Sequence, residues 1–218
     1  MRKAAAAVAA VGVLCAAGCG AHTADYSSIW TTPTSPTESD TEAAPSTRPV
    51  PVAEYLSSVG VTGQQVPLDE LTDLTVTLPR PPGWTKYSNP NFSPGTEAIA
   101  KNDTYPTAMV LVFKLSGNFD IPAALQHADD DAEMSKDFKR LNYSNDDFNG
   151  FPSAMIEGSY DHSGTRLHTY NRIVIPATPA PEFQRYLVQF TVTTLANEAA
   201  AAAPEVEQVI KGFSVAVK

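Results

Sequence analysis

The sequence has little of what a disulfide scaffold, a nucleic-acid interface or a nucleotide site requires. Two cysteines in 218 residues are too few for a cross-linked framework. Its 24 Asp and Glu residues outnumber 15 Lys and Arg residues, and a net charge of -9 argues against nucleic acid, which requires clustered positive charge. Neither G-x-G-x-x-G nor G-x-x-x-x-G-K occurs, which argues against a phosphate-binding loop. At 43% hydrophobic and 18% charged, the chain is apolar enough to fold and too polar for an integral membrane protein.

The N-terminus has the pattern of an export signal. Arg2 and Lys3 precede an uncharged Ala, Val and Leu stretch over residues 4–17, which is shorter than the ~20 residues that a membrane-spanning helix requires. Small residues then lead directly to Cys19, as in a lipobox, although the consensus prefers Leu where this chain has Ala16. The pattern predicts a lipoprotein signal peptide over residues 1–18 and a lipid on the Cys19 thiol. The alternative is an ordinary secretory signal with a chance cysteine.

Cleavage before Cys19 has two consequences for the mature chain. It leaves 200 of the 218 residues and changes the net charge from -9 to -11, because Arg2 and Lys3 are lost. It also removes Cys15, so no intramolecular disulfide can form. Two or three acyl chains on Cys19 would hold the exported protein on the outer face of the cell membrane.

A tether and one domain are predicted after the signal peptide. Within residues 31–50, 13 of 20 residues are Thr, Pro or Ser, which leaves almost no apolar surface to bury. We therefore expect residues 19–50 to form a lipidated N-terminus and a disordered tether. Residues 51–218 have the size of a single globular domain.

The domain is predicted to be α+β, with a mostly antiparallel sheet flanked by helices. One predicted helix begins at Val52, and a second is capped by Asp120 and runs to about Leu141. A third covers Asn197 to Lys211 and is interrupted or restarted by Pro204. Eight strands are predicted, the last of them an edge strand: Asp73–Pro79, Trp84–Tyr87, Glu97–Lys101, Thr107–Leu115, Ser153–Tyr160, Thr165–Ile175, Arg185–Thr194 and Phe213–Val217. The hairpin signal His162-Ser163-Gly164 joins the fifth and sixth of these strands. Short turns between strands favour antiparallel pairing.

No catalytic, metal or cofactor motif is present. A G-x-S-x-G elbow is missing, and Cys19 is expected to be acylated. Asp129, Asp130 and Asp131 are consecutive, so on a helix their carboxylates would splay apart and form a solvated face. Among the four histidines only His168 lies within a predicted strand. We therefore predict no catalytic residues, no metal and no cofactor.

One strand carries a constellation suited to ligand binding. Alternation along residues 166–175 places His168, Tyr170 and Arg172 on one face, where an aromatic surface beside hydrogen-bond donors would suit a sugar ring. Trp84 and Tyr105 are further candidates for the walls of a pocket. The alternative is a half-exposed sheet with ordinary core aromatics, and the sequence leaves open which face is buried.

The motifs together resemble a known family. The lipobox cysteine, the Thr/Pro/Ser stalk and the segments DYSSIW, LTDLTVTLPRPPGW, DFNGFPSAMIEGSY and RLHTYNRIV resemble mycobacterial lipoproteins of the LpqT type, within the LpqN/LpqT family. The resemblance implies an α/β sandwich similar to the PsbP-like fold. It also implies a cell-envelope role tied to mycolate and trehalose glycolipids, with links to virulence in some members. It supplies no catalytic residues, and only the lipobox carries over, onto Cys19.

These observations lead to one functional prediction with two alternatives. We expect a membrane-anchored, non-catalytic binding module for an acyl-trehalose glycolipid, exchanging it with an envelope transporter. The first alternative is a protein-interaction or virulence factor that docks an envelope complex or a host protein. The second is a hydrolase or transferase acting on envelope lipids, with His168 as its base.

Overall fold

A long strand that is apolar on both faces forms the centre of the fold. It runs over Thr104–Ser116, and every residue from Ala108 to Phe113 is buried. Such a strand must be covered on both sides, because each face would otherwise expose apolar side chains to water. The computed structural model describes residues 48–218, so the predicted signal peptide, Cys19 and the predicted tether up to residue 47 lie outside the described residues.

Four α-helices and ten strands occur within residues 48–218. The helices are α1 (Val52–Ser58), α2 (Ile121–Leu125), α3 (Asp130–Glu133) and α4 (Ala199–Gly212), and a 3-10 turn covers Leu68–Glu70. The strands are β1 (Thr62–Gln65), β2 (Leu74–Thr77), β3 (Trp84–Lys86), β4 (Glu97–Lys101), β5 (Thr104–Ser116), β6 (Lys139–Ser144), β7 (Ser153–His162), β8 (Thr165–Val174), β9 (Arg185–Leu195) and β10 (Ser214–Val217).

Eight of these strands form one antiparallel sheet. Its order is β3-β4-β5-β9-β8-β7-β6, and β1 pairs with β5 beyond the end of β4. The remaining two strands, β2 and β10, pair with each other as a separate antiparallel ribbon. The predicted mostly antiparallel sheet with flanking helices is therefore confirmed.

Both faces of the sheet are covered, which answers the question of which face is buried. One face packs under α4 and the β2–β10 ribbon, through residues such as Val188, Phe190 and Val209. The opposite face packs under α1 and α2, through residues such as Leu56 and Leu187. Helix α2 begins as predicted, because the Asp120 carboxylate accepts a hydrogen bond of 2.7 Å from the backbone N–H of Ala123.

The prediction of one helix from Asp120 to about Leu141 is wrong. Two short helices, α2 and α3, occupy its first half, and the chain then turns into strand β6. Asp137 has a φ of 53°, which no residue of a right-handed helix adopts. The Phe138 ring lies against Gly158 of β7. This contact between residues distant in sequence takes the place of the contacts that Phe138 would make within a helix. Between residues 48 and 218 no helix has the length and apolar character to span a membrane.

Candidate ligand-binding cleft

A two-residue turn fixes the register of the β7–β8 hairpin. Ser163 and Gly164 have φ values of 48° and 79°, as in the type I′ turn that suits the twist of paired strands. The register pairs Glu157 with Tyr170 and Ser159 with His168. Glu157 and His168 are therefore diagonal neighbours on one face of the sheet, and Glu157 Oε1 lies 3.1 Å from His168 Nε2.

Helix α4 crosses this face and leaves a cleft over strands β7, β8 and β9. The cleft encloses about 480 Å³, counting its open mouth. Ala199 and Ala203 of α4 line it, and their small side chains leave space that larger residues would fill. Val192, Val206 and Ile210 provide an apolar lining. The cleft thus combines an apolar interior with the polar pair Glu157 and His168.

A buried hydroxyl in this cleft has no hydrogen-bond partner among residues 48–218. Thr194 is 3% exposed, and its Oγ1 makes no hydrogen bond within the described part of the chain. Thr194 lies directly opposite His168 across β8 and β9 and lines the cleft. Buried hydroxyls are normally hydrogen-bonded, since an unsatisfied one costs about 1–3 kcal/mol. The geometry therefore leaves a polar atom available to a bound molecule.

His168, Tyr170 and Arg172 lie on one face of β8, as predicted, but their surroundings differ. His168 and Tyr170 line the cleft, whereas Arg172 does not. Arg172 donates from Nε to the Tyr170 hydroxyl and from Nη1 to Ser153 Oγ, both at 2.9 Å, and its guanidinium lies 4.7 Å from the centroid of the Phe148 ring. Arg172 therefore holds Tyr170 in place from outside the cleft.

The other two candidates, Trp84 and Tyr105, lie away from the cleft. Trp84 is 4% exposed and belongs to the core under α4. Tyr105, at the start of β5, is half-buried. Burial is the main cause that raises the pKa of its hydroxyl, and the nearby Tyr87 phenol is a smaller one. Neither residue lines the cleft, so the structure brings together His168 and Tyr170 but not the full predicted set.

Glu157, Thr194 and the alanines of α4 are cleft residues that the sequence prediction does not include. A signal for Glu157 is present, because a two-residue turn after His162 sets the pairing of β7 with β8. Placing Thr194 opposite His168 requires the register between strands β8 and β9. That register depends on the long loop that joins the two strands, and the sequence of this loop does not specify it. No local sequence pattern predicts that α4 packs over the sheet face that carries His168 and Tyr170.

The acidic cluster differs from the predicted solvated helix face. Asp129 is 9% exposed and pairs with Arg140 at 2.8 Å, and Asp130 Oδ2 accepts from the backbone N–H of Val50 at 3.0 Å. Of the three consecutive aspartates only Asp131 is exposed. Although the residue keeps part of its surface exposed, protein atoms surround its carboxyl group, and this desolvation, followed by repulsion from Asp130 and Glu54, raises its pKa to about 6.

The acidic and histidine side chains of the described part of the chain lie too far apart to form a metal site. No group of three or more His, Cys, Asp or Glu residues within residues 48–218 could hold a metal ion. The cleft itself contributes two carboxylates, from Glu157 and Glu207, and one imidazole, from His168. The Glu207 carboxylate already accepts a hydrogen bond of 2.6 Å from Lys211 Nζ.

The domain has an α+β fold with a cleft between α4 and the sheet, and comparison with known proteins places it in a family. A family model described as "Probable lipoprotein LpqN" matches residues 48–216. The chain therefore belongs to the LpqN family of lipoproteins, as the motifs predicted.

Similar sequences occur in other mycobacterial lipoproteins. The chain is 54% identical over 203 residues to lipoprotein LpqT of Mycobacterium tuberculosis, a match that covers 93% of this chain and 88% of that protein. It is 50% identical over 203 residues to lipoprotein LpqT of Mycobacterium leprae, covering 93% and 91%. Neither name states an enzymatic activity.

A crystal structure supports the fold. LpqN of Mycobacterium tuberculosis, described as involved in cell envelope biogenesis, matches with a TM-score of 0.65 at 18% identity and covers 76% of this chain and 96% of that one. The solution structure of cyanobacterial PsbP from Synechocystis has a TM-score of 0.42 at 12% identity, covering 67% and 94%. The match to LpqN shows that the two chains share an architecture.

Proposed function

We propose that this protein is a membrane-anchored cell-envelope lipoprotein whose domain binds an acylated glycolipid without chemical conversion. The observation that carries the proposal is the cleft between α4 and the sheet, which joins an apolar interior to a buried, unpartnered hydroxyl. An acyl segment would contact the apolar lining, and the sugar would lie at the polar pair. Acyl-trehalose lipids of the mycolate type have this combination of groups.

The lining of the cleft supports a ligand with two chemical characters. Val192, Val206 and Ile210 offer apolar contact area, which favours an acyl chain through burial of its methylenes. Thr194 Oγ1 can donate and accept hydrogen bonds, as can the hydroxyls of a sugar. Ligand sites commonly have this form, an apolar pocket with a few convergent polar groups.

The size of the cleft limits how much of the ligand enters. The 480 Å³ counts the open mouth, so the enclosed part of the cleft is smaller than a typical small-molecule site of about 300–1,000 Å³. We expect a short acyl segment to enter the cleft, the sugar to lie at the polar pair and the rest of a glycolipid to stay outside the domain. This partial enclosure suits a protein that passes a lipid to a membrane transporter.

Anchoring would follow from the family and from the predicted lipidation of Cys19. A lipid on Cys19 and a tether of about 30 residues would keep the domain close to the outer face of the membrane while it captures its ligand. Docking of a protein partner stays the alternative prediction.

A cleft-filling substitution tests the proposal. Ala203→Phe would occupy the space between α4 and the sheet, whereas Ala201→Phe adds the same ring at an exposed position of the same helix. We expect the full chain to bind a fluorescent trehalose monoester, Ala203→Phe to weaken binding at least ten-fold and Ala201→Phe to leave it unchanged. Equal binding by both variants, or no binding by the unmodified chain, would refute a role for the cleft.

A further inference from the structure

A groove lies beside the free edge of strand β2. This strand pairs with β10 along one edge, and no strand within residues 48–218 pairs with its other edge. The groove encloses about 1210 Å³, counting its wide mouth, and is lined by residues 76–78 but by no residue of β10. Residues 67–70 and 95–97 and Lys86 complete its lining. We call it the edge groove.

The hydrogen bonds of the ribbon show which backbone groups point toward this free edge. In an antiparallel pair, facing residues alternate between those that bond to each other and those whose N–H and C=O groups point away from the partner strand. The Lys218 N–H donates to the Asp73 carbonyl at 3.0 Å, so these two residues form a bonded pair. Val215 instead donates its N–H to Asn149 Oδ1 at 3.0 Å, and Val76 lies opposite Val215. The N–H and C=O groups of Val76 therefore point away from β10.

These two backbone groups of Val76 have no hydrogen-bond partner in the described part of the chain. The Val76 side chain packs in the core under α4, so the residue presents its backbone at the strand edge. Backbone groups of a residue that is only 9% exposed are normally hydrogen-bonded, and an added strand would supply both the acceptor and the donor. The free edge of β2 is thus a template for strand pairing.

The charges around the edge groove favour a basic partner. Asp69 and Glu70 are exposed and make no ion pair among the described residues. The third carboxylate of the lining, from Glu97, already pairs with Lys86 at 3.2 Å and with Arg80 at 3.6 Å. Two negative charges are therefore available to Lys or Arg side chains of a bound segment.

The groove also has an apolar portion. Leu68 and Leu78 line it, and both are only partly buried where they pack against the core. The side chains of an extended segment alternate between two sides, so one set can contact these leucines while the other set reaches the acidic residues.

Other occupants fit these features less well. Residues 19–47 of the chain itself contain four acidic residues and no Lys or Arg, so Asp69 and Glu70 would repel them. The acidic residues do not form a metal site among residues 48–218. An acyl chain would leave the free backbone groups of Val76 without hydrogen bonds.

We infer that the edge groove binds an extended, basic segment of a partner protein, which adds to the β2–β10 ribbon as a third strand. Backbone hydrogen bonds to Val76 contribute affinity, and Asp69 and Glu70 select for Lys and Arg. The edge groove shares no residue with the cleft between α4 and the sheet, so the inference does not depend on the proposed function.

Binding of designed peptides to the full chain tests the inference. The probe is a fluorescent peptide of alternating Lys and Val, about seven residues long, which is an ordinary strand length. We expect fluorescence anisotropy to show binding of this peptide and at least ten-fold weaker binding of the matching Glu and Val peptide. A Lys and Val peptide with methylated backbone nitrogens keeps its charge but cannot donate to the strand edge, and it should also bind at least ten-fold more weakly.

Paired variants test whether binding occurs at the edge groove. Asp69→Asn with Glu70→Gln should lower the affinity for the Lys and Val peptide at least three-fold. Asp147→Asn with Glu182→Gln removes the same charges at exposed positions outside the groove and should leave the affinity within two-fold, as should Ala203→Phe in the cleft.

Four outcomes would overturn the inference, whatever the result for the glycolipid. They are no binding of the Lys and Val peptide, equal binding of the acidic or the N-methylated peptide, equal affinity of the two paired variants, and self-association of the full chain that the peptide displaces. The last outcome would assign the groove to a second copy of this chain.

Discussion

Glu157 and His168 meet across strands β7 and β8 at the mouth of the cleft, with 3.1 Å between Glu157 Oε1 and His168 Nε2. Their side chains are 31% and 21% exposed, so both can still reach a ligand. A pair that is accessible to water contributes little to stability, about 0–1 kcal/mol. Because the pair lies beside the buried hydroxyl of Thr194, we expect it to contribute to ligand binding more than to folding.

The first prediction separates these two contributions. Glu157→Gln keeps the shape of the side chain and removes its charge, so the urea midpoint of unfolding should change by less than the equivalent of about 1 kcal/mol. Affinity for a trehalose monoester should fall several-fold, because the carboxylate accepts hydrogen bonds more strongly than an amide. A matched Glu182→Gln variant, at an exposed loop position, should change neither quantity. A large loss of stability with unchanged affinity would make the pair structural.

The second prediction concerns the unpartnered hydroxyl of Thr194. Thr194→Val removes a buried polar group that has no hydrogen bond, so the free protein should gain about 1 kcal/mol of unfolding free energy in urea. The same change should weaken ligand binding. Thr178→Val is the control, since buried Thr178 accepts a hydrogen bond of 2.9 Å from the Gln184 N–H and its loss should destabilise the protein. Destabilisation by both variants would mean that Thr194 has a partner after all.

The third prediction follows from the raised pKa of Asp131. Because its pKa is about 6 in the folded chain and 3.8 for an unperturbed Asp, the folded state binds more protons between these values, and stability is lost as the pH rises through that window. Asp131→Asn removes the charge that causes this loss. The melting temperature of the variant should therefore equal that of the unmodified protein near pH 3.5 and exceed it above pH 6.

A pH series of thermal unfolding curves checks this sign. Asp69→Asn, at an exposed position in the 3-10 turn, is measured beside it as the matched Asp→Asn control. If Asp131→Asn lowers the melting temperature at pH 7, the carboxylate stabilises the fold, and its surroundings favour the charged form rather than the neutral one.

The fourth prediction tests the contact that replaces the expected long helix. A Cβ atom on Gly158 would lie 2.7 Å from the carbonyl oxygen of Lys139 and closer still to the Phe138 ring, so Gly158→Ala should destabilise the protein by about 1–3 kcal/mol. In a Phe138→Ala background the ring clash is gone, and the cost of Gly158→Ala should be smaller. Additive effects in this double-mutant cycle would show that the ring does not contact Gly158 in solution.

Local sequence signals predict much of the sheet and less of the site. Glu97–Lys101 forms a strand with the predicted bounds, and the Ser163-Gly164 turn joins two strands as expected, because alternation and turn chemistry are local properties. The segment after Asp120 departs from its predicted helix, since its conformation depends on Phe138 meeting Gly158, 20 residues away. Strand alternation alone identifies His168 and Tyr170. The cleft they line requires the position of α4, which is set by packing across the whole domain.

The central claim is that the cleft between α4 and the sheet holds the acyl part of a glycolipid. The most direct measurement is photocrosslinking of the full chain with a trehalose monoester that carries a diazirine near the end of its acyl chain, followed by peptide mass spectrometry. We predict adducts on the peptides that contain Val192, Val206 and Ile210, and their loss in Ala203→Phe but not in Ala201→Phe. Adducts elsewhere in the domain, or adducts that persist in Ala203→Phe, would contradict the claim.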